Sequence, residues 1–437
     1  MEDLYRDKTA VVGVIGLGYV GMPLALAAVE AGYFVVGFDV DQEKTDSINA
    51  GKSYIKHIPS EVVAAAVRDG RLHASTEFAK LASVDAVIIC VPTPLTAHRE
   101  PDLTYVVATA EAIMPHLRRG HLVVLESTTW PGTTDEVLKP ILEQSGLKSG
   151  EDFYLAYSPE REDPGNPTYS AGKIPKVIGG DGEKALKLAS ELYGCIAQET
   201  VSVSSAKVAE AVKLTENIFR AVNIALVNEL KVVYGAMGID VWEVIEAART
   251  KPFGYMPFYP GPGLGGHCIP IDPFYLTWKA REHGISTRFI ELAGEINTAM
   301  PDYVVERVAR AFDHRTGRGL RGACILLIGI AYKKNVADVR ESPAFKLIEL
   351  FEQRGSVVEF FDPQVNHIPV MREHPELAGR EGIRWDLQAI ANYDVVVIVT
   401  DHDDVDYKAL CNAAELVVDT RNACARAGVV SDNVVKA

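Results

Sequence analysis

The chain has 437 residues, of which 48% are hydrophobic, and its 44 basic and 59 acidic residues give a formal net charge of −15. This length predicts two or three domains, and the acidic balance argues against binding to nucleic acid or to an anionic membrane surface. A negatively charged small ligand would need local basic residues or helix N-termini.

No apolar run reaches the roughly 20 residues of a membrane span, and the first residues, MEDLYRDKTA, lack the charged-then-apolar layout of a signal peptide. The cysteines are scattered and form no CxxC pair, which argues against a disulfide framework or a zinc site. We therefore expect a protein of the reducing cytoplasm with no bound metal. The cysteines are Cys90, Cys195, Cys268, Cys324, Cys411 and Cys424.

The first predicted unit is a strand, a glycine-rich turn, a helix and a second strand. An apolar run over 10–15 leads into GLGYVG at 16–21, an Ala/Leu-rich helix follows, and a second apolar run over 33–38 ends in Asp39. This order is the dinucleotide-binding fingerprint of a βαβ unit. The alternative is a glycine-rich turn that holds no cofactor.

Each residue of this fingerprint has a predicted role. Gly16 permits the tight turn, Gly18 lets the backbone approach a pyrophosphate, and Gly21 allows close helix–strand packing. Asp39 stands where a carboxylate accepts hydrogen bonds from the adenosine ribose and repels a 2′-phosphate, which favours NAD over NADP. The expected cofactor contacts here are Gly16, Gly18, Tyr19, Val20, Gly21 and Asp39.

Further apolar runs predict buried strands in the same half of the chain. Their near-continuous apolar character is typical of a parallel sheet that is covered on both faces. Ligands bind at the carboxyl ends of such strands, where the sequence places VPTP, ESTTWPGT and SPEREDPGN. The predicted strands lie within 85–94, 121–128, 153–160 and 176–180.

Helical spacing replaces this pattern after about residue 204. The spacing of apolar residues over 204–250, a stretch without proline, predicts a long helix. Helices of this length usually bridge domains or support an oligomer. A glycine-rich segment, GPGLGGHCIP at 261–270, precedes another helical segment over 288–312.

A second α/β half begins near residue 320. It lacks the full glycine fingerprint, so we expect no second dinucleotide site there. Its strands are predicted at 322–330, 356–363, 394–400 and 415–420, with a helix at 342–355.

Two groups of residues outside the fingerprint suggest chemistry. Lys213 and Asn217 are four residues apart on the long helix and project from one face, although a solvated face would show the same spacing. Cys268 lies among glycines that would let a substrate approach, and His267 and Lys213 are candidates to favour its thiolate. The competing interpretation of Cys268 is a small core hydrophobe, and His267 is more simply explained by packing than by base catalysis.

A cysteine beside an NAD site indicates a particular reaction. Oxidation of an alcohol to an aldehyde removes one hydride and needs no thiol. Oxidation of the aldehyde to an acid requires a second hydride from a tetrahedral carbon, which thiolate addition creates. The combination therefore suggests aldehyde oxidation, or combined alcohol and aldehyde oxidation.

Seven motifs in order along the chain resemble those of the nucleotide-sugar 6-dehydrogenases, the UDP-glucose/GDP-mannose dehydrogenase family. The resemblance implies two Rossmann-like, doubly wound α/β domains joined by a long central helix and a helical dimerisation region. It implies an NAD-binding domain over 1–203, the helical region with the cysteine loop over 204–312, and a UDP-sugar-binding domain over 313–437. The motifs are GLGYVGMPLA, VPTP, ESTTWPGTT, SPEREDPGN, KLTENIFRAVNIALVNEL, GPGLGGHCIPIDPFYL and ADVRESPA.

The resemblance also implies roles for individual residues in a four-electron oxidation of the sugar C6 alcohol. Cys268 is then the nucleophile of the thioester step, Lys213 and Asn217 stabilise the oxyanion, and Asp272 positions or activates water. Thr128 and Glu160 hold further water-ordering contacts. The remaining implied cofactor contacts are Pro92, Thr93, Ser127, Thr128 and Arg340. The implied substrate contacts are Glu160, Arg161, Lys213, Asn217, Arg249, Tyr259, Gly265, Lys333 and Arg421, with Arg249 reaching a neighbouring subunit's site.

The segment SPEREDPGN departs from SPEFLREG, which the resemblance leads us to expect in the glucose enzymes. It is similar to the N-acetylhexosamine branch, with UDP-N-acetylglucosamine as the expected substrate, then UDP-N-acetylmannosamine and UDP-glucose. Products of this type feed bacterial surface polysaccharides such as O-antigen or capsule, and the enzymes are homo-oligomers. Two other readings remain open: a two-electron hydroxyacid dehydrogenase, which needs no cysteine, and a non-catalytic sensor of sugar nucleotides.

Overall fold

The computed structural model describes residues 1–55, 58–96, 100–161, 173–266, 268–371 and 373–437, with Cys268 described by its backbone alone. The chain forms two compact units. The first comprises Met1–Glu216 and Phe274–Ser286, and the second comprises Asn217–Pro273 and Thr287–Ala437.

The first unit contains an eight-stranded sheet whose strand order is β3-β2-β1-β4-β5-β6-β7-β8. The first six positions reproduce the 3-2-1-4-5-6 order of the dinucleotide-binding fold, in which the order reverses between β1 and β4 and ligands bind at that point. The strands are β1 (Val11–Ile15), β2 (Phe34–Phe38), β3 (Leu72–Ser75), β4 (Ala86–Ile89), β5 (Leu122–Leu125), β6 (Tyr154–Tyr157), β7 (Lys176–Gly180) and β8 (Thr200–Ser202).

Helices of the first unit cover this sheet. Apolar side chains of the strands and of α2 and α7 form one buried cluster that includes Val12, Val14, Ala25 and Leu192. These runs form strands because their β-branched residues fit a pleated surface that is buried on both faces. The helices are α1 (Glu2–Arg6), α2 (Gly21–Ala31), α3 (Gln42–Asn49), α4 (Ser60–Arg68), α5 (Thr104–Ile113), α6 (Lys139–Leu142) and α7 (Glu183–Ile196).

One strand pair departs from the predicted parallel sheet. Strands β6 and β7 are antiparallel, with Ala156 opposite Gly180, whereas β7 and β8 are again parallel. The prediction was wrong at this pair because an apolar run reports that a strand is buried but carries no information about its direction. Direction depends on how the chain returns between two strands.

Long helices dominate the middle of the chain, and the predicted helix over 204–250 is divided in two. Gly238, with φ of +74°, follows the first helix, and Asp240 caps the second by accepting a hydrogen bond from the Trp242 amide at 3.1 Å. Residues 206–216 of α8 lie in the first unit and 217–236 in the second. The helices are α8 (Ala206–Ala236), α9 (Val241–Arg249), α10 (Cys268–Glu282) and α11 (Arg288–Thr316).

The second unit contains a five-stranded parallel sheet in the order β10-β9-β11-β12-β13, the 2-1-3-4-5 order of a doubly wound fold. Apolar clusters fill both faces of this sheet. The predicted α/β class with two Rossmann-like domains is confirmed. Its elements are β9 (Cys324–Ile328), α12 (Pro343–Gln353), β10 (Val357–Phe361), α13 (Leu387–Ile390), β11 (Val395–Ile398), α14 (Tyr407–Ala413), β12 (Val417–Asp419), α15 (Ala423–Arg426) and β13 (Val434–Lys436).

Within the described ranges, the helices lack any stretch with both the length and the apolar character needed to cross a bilayer.

Candidate functional site

The glycine turn between β1 and α2 has the geometry that a pyrophosphate cradle requires. Gly16 has φ of +90°, a conformation that favours glycine. A Cβ on Gly21 would lie 1.9 Å from the Gly16 carbonyl oxygen, so only glycine lets α2 begin so close to the turn. A Cβ on Gly18 would meet no described atom within 4 Å, which leaves its backbone open to a ligand. Tyr19 is exposed and Val20 half-buried beside it.

Asp39 follows β2 directly and is buried beside this turn. Its Oδ2 accepts a hydrogen bond from the Leu17 amide at 2.9 Å, and its Oδ1 accepts one from the Asp41 amide at 3.0 Å. The Lys44 ammonium lies 3.5 Å from Oδ2. The carboxylate therefore shapes the glycine turn, a role that the sequence did not suggest, and its place after β2 fits an NAD ribose.

The loops after β4 and β5 contribute the other predicted cofactor contacts. Pro92 is exposed, whereas the Thr93 carbonyl oxygen accepts a hydrogen bond from Tyr275 at 3.0 Å. The Ser127 hydroxyl donates to the carbonyl oxygen of Val91 at 2.6 Å, which ties the two loops together. Thr128 is half-buried beside Ser127. These residues lie at the carboxyl edge of the sheet, where the fold binds ligands.

Glu160, which follows β6, belongs to a buried charged cluster. The Lys176 ammonium lies 2.9 Å from carboxylate oxygens of both Glu160 and Glu126. The Tyr193 hydroxyl donates to the other oxygen of Glu126. Lys213 donates its ammonium hydrogen bond to the main-chain oxygen of Glu160. The structure thus brings Glu160 and Lys213 together in the first unit, and it adds three partners that sequence reasoning missed.

Burial and pairing set the charges of this cluster. Burial raises the pKa of Glu126, and the Lys176 ammonium opposes that rise only in part. Burial by itself would lower the pKa of Lys176, but the two carboxylates raise it above its ordinary value. Lys176 is therefore a buried ammonium that serves two carboxylates. The only sequence signals were that Glu126 opens the ESTTWPGTT motif and that Lys176 opens a predicted strand.

Arg161 is engaged within the first unit. Its Nη2 donates to Glu216 at 2.6 Å, and its Nη1 donates to the carbonyl oxygen of Pro175 at 2.7 Å. A substrate contact would require the guanidinium to share or exchange these partners. Residues 162–166, the rest of the SPEREDPGN motif, lie outside the described residues.

In the second unit the structure joins two predicted catalytic residues. Asn217 on α8 donates a side-chain hydrogen bond to the carboxylate of Asp272 on α10, and both residues are buried. Cys268 is the first residue of α10, four positions before Asp272. The Cys268 side chain and all of His267 lie outside the described part of the chain.

The glycine-rich loop before α10 lies against the segment that follows β9. A Cβ on Gly265 would lie 2.8 Å from the Tyr332 side chain, and the Gly266 amide donates to the carbonyl oxygen of Arg340 at 3.0 Å. The Arg340 guanidinium is exposed and pairs with Asp338 at 2.6 Å. Lys333 is half-buried in the same segment. The loop therefore contacts Tyr332, the residue before Lys333, and the backbone of Arg340 in the second unit.

Arg421 follows β12 and contacts the beginning of the same glycine-rich loop. A Cβ on Gly261 would lie 2.6 Å from Arg421 Nη1, so a larger residue there would displace the guanidinium. Arg421 Nε donates to the carbonyl oxygen of Val399 at 2.9 Å. This position, at the carboxyl end of a strand in a doubly wound sheet, is where such folds bind ligands.

Arg249 and Tyr259 share one partner. Glu246 accepts a hydrogen bond from the Tyr259 hydroxyl at 2.7 Å and pairs with the Arg249 guanidinium at 2.9 Å. The Tyr259 ring stacks on Trp242 with ring centroids 5.8 Å apart. Arg249 thus lies on α9, and Tyr259 packs against that helix. Across the described residues, no cluster of His, Cys, Asp and Glu suited to a metal ion is found.

Almost the whole chain matches a known protein family. Models of the UDP-glucose/GDP-mannose dehydrogenase family match it in three parts: the NAD binding domain over residues 10–197, the central domain over 207–299 and the UDP binding domain over 326–426.

Similar proteins are named after three different sugars. The chain is 39% identical over 372 residues to the UDP-N-acetyl-D-glucosamine 6-dehydrogenase of Pseudomonas aeruginosa, covering 84% of this chain and 86% of that protein. It is 36% identical over 424 residues to the NDP-N-acetyl-D-galactosaminuronic acid dehydrogenase of Ralstonia nicotianae, covering 94% and 95%. The solved structure of a UDP-D-ManNAc dehydrogenase from Pyrococcus horikoshii matches with a TM-score of 0.86 at 33% identity, covering 97% of each chain.

Proposed function

We propose that this chain, which belongs to the UDP-glucose/GDP-mannose dehydrogenase family, oxidises the C6 alcohol of a UDP-N-acetylhexosamine to the carboxylate. Family membership makes it an NAD-dependent nucleotide-sugar dehydrogenase. We further propose which sugar is oxidised, that four electrons are removed from it, and what each site residue does. UDP-N-acetylglucosamine is the substrate that we propose first.

The observation that carries the four-electron reaction is the contact between Asn217 and Asp272 in the second unit. Both side chains are buried, and Asp272 follows Cys268 by one helical turn on α10. A cysteine at the start of a helix is a setting in which proteins stabilise thiolates. A nucleophile, an amide donor and a carboxylate within one short stretch of structure support acyl chemistry that a simple alcohol dehydrogenase does not need.

The first half-reaction converts the C6 alcohol to an aldehyde. Bound NAD supplies the acceptor for the hydride that leaves C6 in each half-reaction. In the proposal, the hydroxyl proton passes to a water ordered by Asp272, with Thr128 and Glu160 holding further water-ordering contacts. The buried ammonium of Lys176 supports this role of Glu160, because it holds the carboxylate at 2.9 Å.

The second half-reaction uses the thiol. The Cys268 thiolate adds to the aldehyde carbon and forms a C–S bond, and Lys213 and Asn217 stabilise the resulting oxyanion. Loss of a second hydride from that tetrahedral carbon leaves a thioester. Water positioned by Asp272 then attacks the thioester carbon, the C–S bond breaks, and the carboxylate and the Cys268 thiolate are released. One sugar thus consumes two NAD and one water.

The remaining assignments follow the three parts of the chain. We assign NAD binding to 1–203, subunit association to 204–312 and the UDP end of the substrate to 313–437. Arg340 would contact the cofactor pyrophosphate, and Lys333, Arg421 and Gly265 would contact the substrate. The close approach of Gly265 to Tyr332, the residue before Lys333, supports a shared ligand.

The choice of sugar rests on the SPEREDPGN segment and on a relative named for N-acetylglucosamine, at 39% identity. UDP-N-acetylmannosamine is the second candidate, since the protein of the matching structure from Pyrococcus horikoshii is named for that sugar. We place the reaction in the cytoplasm, in the supply of acidic sugars for O-antigen or capsule.

Association through the central helices is also part of the proposal. Exposed apolar side chains on α8 support it, because a monomer would leave them in water. They are Phe219, Leu226, Val232 and Val233. Sedimentation of the purified protein tests this point, and a monomer at micromolar concentration would contradict it.

The test of the reaction is the number of NADH formed per sugar consumed. Purified protein is offered UDP-N-acetylglucosamine, UDP-N-acetylmannosamine, UDP-N-acetylgalactosamine and UDP-glucose in parallel. We expect two NADH per sugar, with the first substrate preferred. Preference for another sugar would overturn the substrate assignment and keep the mechanism. One NADH per sugar, or full activity of Cys268→Ser, would overturn the thioester step, and binding without turnover would favour a sensor.

A further inference from the structure

A lysine of the second unit is buried without a hydrogen-bond partner. Lys231 on α8 is 6% exposed, and its ammonium has no acceptor within hydrogen-bond distance among the described residues. The ammonium lies over the ring of Tyr303 on α11, 5.6 Å from the ring centroid. One turn further along α11, the buried Nε of Arg307 also lacks a described partner. Lys231 and Arg307 thus each have a buried nitrogen without a described hydrogen-bond partner.

Contacts along α8 connect Lys231 to Arg421. Asn228, one turn before Lys231, accepts a hydrogen bond from the Gly261 amide at 3.0 Å. Gly261 in turn abuts the Arg421 guanidinium, where a Cβ would lie 2.6 Å from Nη1. The carboxylate whose charge acts on Lys231 is Asp419, which already accepts hydrogen bonds from the Arg421 and Cys424 amides at 2.9 and 2.8 Å.

Burying the Lys231 ammonium without an anion lowers the stability of the fold, and a bound anion would offset that loss. Burial, together with the charges of Arg421 and Arg307, lowers the pKa of Lys231 to about 7, and Asp419 opposes this shift in part. An isolated buried ammonium destabilises a folded protein, and an apolar side chain of similar length would pack there at lower cost. A strongly basic group kept at such a position is therefore a candidate for ligand binding.

We propose that Lys231 is a further ligand of the diphosphate of the sugar nucleotide and acts together with Arg421. The proposal rests on the assignment of the UDP end of the substrate to the second unit, and it does not depend on which sugar is carried. Phosphate oxygens suit the site because they accept charge-assisted hydrogen bonds from ammonium and guanidinium groups. Local cations are also what an anion requires in a chain whose net charge is −15.

Binding of the nucleotide must then be linked to a proton. Without ligand, a lysine with a pKa of about 7 is mostly neutral near pH 8. The negative charge of the diphosphate raises that pKa, so Lys231 takes up a proton as the nucleotide binds. The groups that act on it are Tyr303 and Arg307 from α11, Asp419 at the end of β12 and Arg421 directly after it. We assign the uptake to Lys231 because its buried ammonium has no described hydrogen-bond partner.

Calorimetric titration of the full chain with UDP near pH 8, in Tris and in HEPES, measures the protons taken up per UDP. UDP is fully ionised there, so uptake comes from the protein. We expect roughly 0.9 proton for the wild-type protein, from a pKa of about 7. In Lys231→Met we expect almost none, with UDP affinity lower by about 10–100-fold. Lys408→Met, at an exposed position on α14, is the matched control and should leave both values unchanged.

Thermal unfolding separates a binding role from a structural one. Lys231→Met should unfold at the same or a higher temperature than the wild-type protein, because a buried ammonium without a partner is replaced by an apolar side chain. If Lys231→Met binds UDP with the same affinity and the same proton uptake as the wild-type protein, the role of Lys231 is overturned and the nucleotide assignment stands. Failure of the wild-type protein to bind UDP would overturn the nucleotide assignment as well. Should the variant not fold, absence of proton uptake by the wild-type protein overturns the proposal.

Discussion

Replacing Lys176 by methionine should destabilise the first unit by about 3–5 kcal/mol, the cost of removing one partner from a buried ion pair. Lys176 is 3% exposed, and its ammonium lies 2.9 Å from both Glu126 and Glu160. Methionine keeps most of the volume but leaves two carboxylates, 2% and 8% exposed, without their cation. We expect a value near the upper end, because two acceptors lose the same donor.

The loss should depend on pH. Burial raises the pKa of Glu126 above its ordinary value even with Lys176 present, and removal of the ammonium raises it further. A carboxyl group whose pKa is raised on folding stabilises the protein at low pH and ceases to do so as pH rises through that pKa. The deficit of Lys176→Met should therefore shrink between pH 8 and pH 6, by at most about 1.4 kcal/mol per pH unit.

Urea denaturation, with hydrogen exchange of the β5 and β7 amides as a local probe, measures the effect in this unit. Lys187→Met is the matched control, since it removes a 2.7 Å ion pair with Glu2 from a side chain that is 59% exposed. Surface pairs of this kind contribute about 0–1 kcal/mol. Glu126→Gln in the Lys176→Met background should recover part of the loss. The reasoning would be refuted if Lys176→Met lost no more than about 1 kcal/mol of unfolding free energy beyond the control and if that loss did not change with pH.

Three further results are expected. Gly21→Ala should weaken NAD binding at least about tenfold in an NADH fluorescence titration, because the added Cβ lies 1.9 Å from the Gly16 carbonyl oxygen. Asp272→Asn should lower kcat by about 10²–10⁴-fold and change substrate affinity little, because in our proposal the carboxylate beside Asn217 orders the water of the chemical steps. Burial raises the pKa of Glu210 to about 7, so from pH 6 to pH 8 the wild-type protein should lose about 1 kcal/mol of stability relative to Glu210→Gln in urea denaturation.

Each of these results has a control. Gly194→Ala on α7 places a Cβ in open space and should not weaken NAD binding, so equal affinities of the two alanine variants would contradict the steric argument. Asp302→Asn, at an exposed position on α11, should keep full kcat. Wild-type kcat in Asp272→Asn would remove that residue from the mechanism. A stability difference between the wild-type protein and Glu210→Gln that stays constant from pH 6 to pH 8 would assign the titration to another group.

Local motifs of the candidate site could be predicted because they depend on consecutive residues. Gly16 needs a positive φ and Gly21 needs a missing Cβ, and both requirements arise within one turn between a strand and a helix. Apolar runs separated by helical segments likewise predicted two α/β halves, since a strand that is buried on both faces is apolar throughout. The helix break at Gly238 was less visible, because helical spacing resumes at once in α9.

The charged partners of the site could not be predicted in the same way. Glu126, Glu160 and Lys176 are 16 to 50 residues apart along the chain, and no periodicity connects them. In the sequence, each of the three is only a polar residue near the end or the beginning of a predicted strand. Cys411 and Cys424 likewise looked unrelated, yet their sulfur atoms lie 3.3 Å apart.

The sequence by itself determined the fold class and the NAD fingerprint, because these follow from backbone requirements and burial patterns that neighbouring residues record, and it indicated the family through the resemblance of seven ordered motifs. Only the tertiary structure decided the antiparallel direction of β7, the pairing of Asn217 with Asp272, and the burial of Lys231 without a described partner. These features depend on how distant segments meet. The free energy of a buried charge is set by the groups around it in space, and those groups come from elements that the chain order does not place side by side.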